Sequence, residues 1–411
     1  MLRFASIILI AAPLTLAAAD WPQFRGPAGD GHYSGPKLPT EFGPDKNVKW
    51  KTPVPGKGWS SPIVWKGKIY LTTAIEQPNK DQSLRAICLD VASGKSDWNT
   101  EVFLMTAASI PKIHGDNSHA SATPTTDGER VYVHFGHAGT AALDLSGKAL
   151  WKRTGFYEKP RHGSGGSPIL VDGRLVFSCD AEDKQFVIAL DSATGDTVWQ
   201  TPRKSGASRM FSFSTPQVVA ADGKNQILST GSDMIAGYDP ATGKELWRSK
   251  FSGYSIVQRP VVGHGRVYFS TAFDSPVLKA IRLGGSGDVT KTHTAFSMNK
   301  GVSNTPSFLL VGDDLFMVSD AGLMSCVDAN TGEVIWSADL RKGKYWTSPI
   351  DAGGQIYITN TDGLVTLVEA GRTFNNLAEF DFKEKTLASF AGVDGALFVR
   401  TAGHVYKFEK R

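Results

Sequence analysis

Ala189-Leu190-Asp191-Ser192-Ala193-Thr194-Gly195-Asp196-Thr197-Val198-Trp199 is the stretch from which the rest of the chain can be read, because its spacing recurs. Cys88, Asp90, Gly94 and Trp98 repeat it, as do Gly237, Asp239, Gly243 and Trp247, and then Cys326, Asp328, Gly332 and Trp336. Ala142, Asp144, Gly147 and Trp151 differ by one residue. Asp caps its own turn, Gly supplies a left-handed backbone, and the flanking residues alternate as strands do, so each copy reads as a hairpin. Trp on the outgoing strand needs a neighbour to bury its ring, and the small residue opposite leaves the space.

One hairpin cannot bury that ring alone. Self-similarity at a period of about 40 to 50 residues, with four strands per unit, predicts an all-β β-propeller. Seven units open at Ser61-Pro62, Thr123-Pro124, Ser167-Pro168, Thr215-Pro216, Arg259-Pro260, Thr305-Pro306 and Ser348-Pro349, where Pro is tolerated at a strand start. Units five and seven keep the length over 280–290 and 366–376 but lack the Trp. The last segment, from Ala388, supplies three strands and then ends, while Asn47 to Val54 is a lone strand with Trp50 in the Trp register. Pairing the two closes a ring of eight four-stranded blades without a free sheet edge.

At the N-terminus, Met1-Leu2-Arg3, an apolar run from Phe4 to Leu16 and Ala17-Ala18-Ala19 read as a secretory signal peptide over 1–19. Residues 20–46, rich in Pro and Gly, form an irregular arm, with Trp21 and Phe24 expected to pack; 47–411 is the propeller domain. The mature chain is therefore expected in an extracytoplasmic compartment, periplasmic or secreted, as a monomer without a transmembrane segment. A net charge of +4 with no Lys/Arg block gives no footprint for nucleic acid. Cys88 and Cys326 occupy the small-residue position of separate repeats and read as packing residues rather than a disulfide pair.

These residues resemble the pyrroloquinoline-quinone-type propeller repeat, whose docking motif Ala-x-Asp-x-x-Thr-Gly-x-x-x-Trp is matched from Ala189 to Trp199. Size and leader are also similar to the BamB-like outer-membrane assembly proteins, and Trp21-Pro22-Gln23-Phe24-Arg25-Gly26-Pro27 resembles the opening of secreted bacterial members. The resemblance implies the eight-bladed fold and a binding or protein-interaction module. Its alternative is a quinoprotein oxidoreductase acting on alcohols or sugars with the quinone and calcium. The adjacent Cys-Cys pair common in alcohol-oxidising relatives is missing, as is the lipobox Cys of BamB proteins. No cofactor is therefore expected.

Loops from strand four to the next strand one, and from strand two to strand three, emerge on one face of a propeller. That face carries an insertion from Met105 to Ser121, and a loop this long in a regular array has a task. Residues just before each strand one converge on the channel mouth. Trp59, His114, His119, His162, Arg209, Arg259, Asn304 and Trp346 are therefore the expected binding set, suited to a protein or saccharide-like ligand. His114, His119, His134 and His137 lack the set spacing of a metal site, and none is expected. Asp320 and Asp362, with Asp180, Asp233 and Asp274, read as turn caps. No nucleophile elbow or phosphate loop occurs, so no catalytic residue is expected.

Overall fold

The computed structural model describes residues 20–410 except 222, 341 and 342; the leader at 1–19 lies outside the described residues. Eight sheets, each with four antiparallel strands at its heart, follow one another around an axis. Blade one is Ile63–Trp65, Lys68–Glu76, Gln82–Asp90 and Ser96–Met105. Blade eight takes Ala391–Val393, Ala396–Arg400 and His404–Glu409 from the C-terminal end and Val48–Pro53 from the N-terminal end. That last strand pairs antiparallel with its neighbour from Val48 opposite Phe408 to Pro53 opposite His404, which closes the ring as expected.

The repeat motif works between blades as well as within them. Inside a blade the Trp stands opposite its small residue, as Trp199 does opposite Ala189 and Trp98 opposite Cys88. Across the interface, the Trp199 indole N–H donates to Pro240 O in the next blade's turn at 2.9 Å. Trp50, Trp98 and Trp151 make the same bond to Val91, Leu145 and Ser192. Gly243 of that turn lies so close that a Cβ there would meet the Trp199 ring at 2.5 Å. The glycine therefore answers two demands, a left-handed φ of 70° and ring contact.

Blade five differs from its sequence reading. Its fourth strand is Thr294–Met298, not part of 280–290, because residues between Gly284 and His293 first cross to blade four, where Gly287 pairs with Trp247. Phe296 then stands opposite Ala280 and against Gly332, so the blade keeps an aromatic dock. In blade seven the Trp position is Ala378. Beside it, Phe42 of the arm packs between Phe380 and Phe408, with ring centroids 4.6 and 5.1 Å away.

Hydroxyls ahead of each first strand form a belt around the axis. Backbone N–H groups of Ser61, Thr123 and Ser167 donate to the side-chain oxygens of Thr123, Ser167 and Thr215 at 2.9–3.0 Å. Arg259, Ser307, Ser348 and Ser389 donate likewise to Ser307, Ser348, Ser389 and Ser61. In blade six the belt position is therefore Ser307 rather than Thr305, which is instead held by Asp320. Arg259 is the one belt position without a hydroxyl.

The arm seals the opposite end of the channel. Trp21, 1% exposed, bridges Val64 of blade one, and the fully buried Arg25 donates to Phe308 O and Pro349 O in blades six and seven. Burial lowers the Arg25 guanidinium to about 10. Backbone carbonyls are its direct partners, so the arm is held by hydrogen bonds to otherwise orphaned acceptors.

Candidate functional site

The insertion after blade one is a lid. From Met105 it crosses the channel mouth and is pinned by three blade loops. Lys57 Nζ donates to Gly115 O at 2.8 Å and the Trp59 indole to Asp116 O at 2.7 Å. Asn117 Nδ2 donates to His162 O and Ser164 O at 2.8 and 3.1 Å. Lys385 of blade eight pairs with the Asp116 carboxylate, whose pKa this contact holds below its ordinary value.

Beneath and beside the lid lies a cavity of about 160 Å³. Trp59 and Trp346 line it from the mouth, Asn117 from the lid, Leu387 from blade eight, the hydroxyl belt from the walls, and Phe24 of the arm from the far end. Aromatic rings continue outward as an arc. His114 packs on Trp346 and His162 with centroids 6.3 and 6.1 Å apart, and His162 packs on Phe211 at 5.4 Å. Lys344 Nζ stands 5.5 Å over the Trp346 ring.

Trp59, His114, His162 and Trp346 are thus brought together around the lid. The other four go elsewhere. His119, near the end of the lid, is buried against His137, 5.9 Å between centroids; burial first, then His137 and Lys57, push it down to about 4. Arg209 stands on the outer rim, its guanidinium 4.3 Å over Tyr254. Asn304 lies behind Thr305 with its N–H on Asp320. Arg259 is turned to the opposite end, where Nη1 donates to Phe24 O at 2.7 Å and Nη2 to Gln23 Oε1 at 3.1 Å. The belt position without a hydroxyl sends its side chain down to hold the arm, which position before strand one does not reveal.

Asp320 is more than a turn cap. Its carboxylate accepts the N–H groups of Asn304 and Thr305 and the Thr305 hydroxyl, contacts the Trp346 indole, and is raised in pKa by burial. It positions Trp346. Asn117, Leu387 and Phe24 also escape sequence reading, since they reach the cavity only through the lid, the last blade and the arm.

Among the described residues, the cavity lining holds no carboxylate and no cysteine. Cys88, Cys179 and Cys326 are buried in the blades as free thiols, and burial pushes Cys88 and Cys326 up to about 12. Belt hydroxyls are already engaged by neighbouring backbone N–H groups. Calcium asks for six or more oxygen ligands, commonly including carboxylates, so these residues do not fit a calcium-held quinone at this cavity. Among the described residues no three of His, Cys, Asp and Glu group as metal ligands.

Fold and site together define an eight-bladed β-propeller of PQQ-like repeats with a lidded channel mouth. The chain belongs to the family described as outer membrane protein assembly factor BamB, whose model matches residues 43–165, 124–273 and 292–373. The protein of that name from Burkholderia pseudomallei (strain K96243) is 27% identical over 218 residues, 51% of this chain and 49% of that one. The chain thus matches about half the length of this relative. The crystal structure of BamB from Moraxella catarrhalis superposes with a TM-score of 0.60 at 16% identity, covering 88% of this chain and 99% of that one. A europium-containing methanol dehydrogenase does so at 0.56 and 11%, covering 95% and 98%. These two likenesses are likenesses of fold.

Proposed function

We propose that the protein is an extracytoplasmic interaction module that receives an apolar or aromatic, acidic segment of a partner protein at the lidded mouth. The observation that carries this is the arc from Trp346 through His114 and His162 to Phe211, flanked by Lys344 and fixed by a lid tied to three blade loops. Exposed His114, with half-buried Trp346 and His162 beside it and a cation over the Trp346 ring, gives the aromatic and cationic contacts on a rigid scaffold that a hot spot needs. The relative's name, an outer membrane protein assembly factor, supports a protein partner, and the leader read over 1–19 supports the compartment.

A photo-crosslinking residue placed at His114 is expected to give a partner adduct in cells. The same residue at Lys148 or Lys244, on turns of the opposite face, is expected to give none. Trp346→Ala should abolish the adduct with the thermal midpoint unchanged. Equal adducts from both faces would show that the mouth is not the site. The rival quinoprotein reading draws on the dehydrogenase-like fold. Adding pyrroloquinoline quinone and calcium to the pure protein tests it: a bound chromophore with dye reduction by alcohols or sugars would replace the interaction reading.

A further inference from the structure

A second recess, of about 390 Å³, opens on the outer rim between the loops of blades four and five, where its Tyr254 packs on Phe211, the outer end of the ring arc, with centroids 5.7 Å apart. Its size falls in the ~300–1,000 Å³ range of small-molecule sites. Phe273 forms one wall and is 53% exposed, the one aromatic among the exposed large hydrophobic side chains of the described residues. The Tyr254 ring lies 6.3 Å from it at 60°, with one face covered by the Arg209 guanidinium. Tyr254 Oη donates to the Asp274 carboxylate, and Arg209 Nη1 is 3.8 Å from the same group. Asp233 closes the far side and is fixed by the Gly253 N–H at 2.8 Å.

Backbone strain is concentrated here. Asp233, Ser255, Ala272 and Asp274 all hold left-handed φ values, between 58° and 72°, without being glycine. A Cβ on Gly253 would lie 1.9 Å from Thr271 O, so the two loops are in close backbone contact. Strain of about 1–3 kcal/mol per such residue persists where the surroundings over-determine it, and it gathers at ligand sites.

We infer that this recess binds a neutral saccharide. An exposed flat ring offers a stacking face for the C–H side of a sugar. Two carboxylates and one guanidinium around it offer acceptors and donors for vicinal hydroxyls. Two carboxylates against one guanidinium disfavour an anionic sugar. The inference stands independently of the partner at the channel mouth.

The test is saturation-transfer NMR on the full mature chain with cellotetraose, mannotetraose and N-acetylchitotetraose, and with tetragalacturonate as the charged comparison. At least one neutral tetrasaccharide is expected to give a saturable signal. Phe273→Ala should weaken it about tenfold or more, equivalent to about 1.4 kcal/mol, without moving the thermal midpoint. Asp274→Asn should weaken it too, whereas Trp346→Ala should leave it intact. No signal from any neutral probe, preference for tetragalacturonate, or wild-type binding by Phe273→Ala would overturn the inference. Phe273→Ala should also keep the crosslink at the mouth, so failure of one site does not count against the other.

Discussion

Trp199 illustrates how much one residue is asked to do. It is 7% exposed, faces Ala189 in its own blade, and touches both the Pro240 carbonyl and Gly243 in the next. Trp199→Ala is expected to cost about 3–5 kcal/mol, the range for emptying a buried aromatic site. Gly243→Ala separates the two roles of the glycine. It should cost about 1–2 kcal/mol for the left-handed backbone plus about 1–3 for displacing the ring. Gly67, with a φ of 77° and open space around it, should lose only the first of these on substitution by Ala. Urea denaturation of the three variants checks the ranking; equal losses at Gly67 and Gly243 would remove the ring contact from the account. His119 makes the lid sensitive to acid. Its folded pKa, about 4, lies below the ordinary 6.5, so the unfolded chain takes up the proton first. The stability it contributes is present above pH 6.5 and is lost as pH falls through the window from 6.5 to 4, by up to about 3 kcal/mol. Buried His134, shifted the same way, adds to this loss. Denaturation midpoints at pH 7 and 4.5 should draw closer together in His119→Asn; an unchanged gap would place the acid sensitivity elsewhere.

At the scale of the element, the strand Val48–Pro53 matters beyond its length. It supplies the outer strand of blade eight, and its Trp50 and Thr52 dock on Val91 O and Gly94 O of blade one at 2.9 and 2.6 Å. Deleting residues 47–53 would bare a sheet edge and unfill a blade interface together. The truncated chain is expected to self-associate, with a lower thermal midpoint, in light scattering and calorimetry. A monomer with an unchanged midpoint would mean that closure contributes little. This strand was legible in the sequence because Trp50 kept its register. The fourth strand of blade five was not, because an excursion to the neighbouring blade displaced it and Phe replaced Trp. The lid was legible only as an insertion, since its three anchors lie on loops far apart in the chain.

At the scale of the whole molecule, the hydroxyl belt joins what the chain order separates: the Ser389 N–H donates to Ser61 Oγ across 328 positions. The sequence by itself determined the repeat, the number of blades, the closure and the face on which Trp59, His114, His162 and Trp346 meet. Those follow from local rules, namely turn chemistry, strand alternation and a ring that must find a neighbour, and repetition carries each rule around the circle. Only the tertiary structure decided that Arg259 anchors the arm, that Phe24 closes the channel, that Asp320 positions Trp346, and that Arg209 leaves the mouth for the rim beside Phe273. Each of these depends on which groups meet across blades. A loop residue's direction is set by the unpaired carbonyls, carboxylates and rings that it finds there, and adjacency in sequence does not encode them.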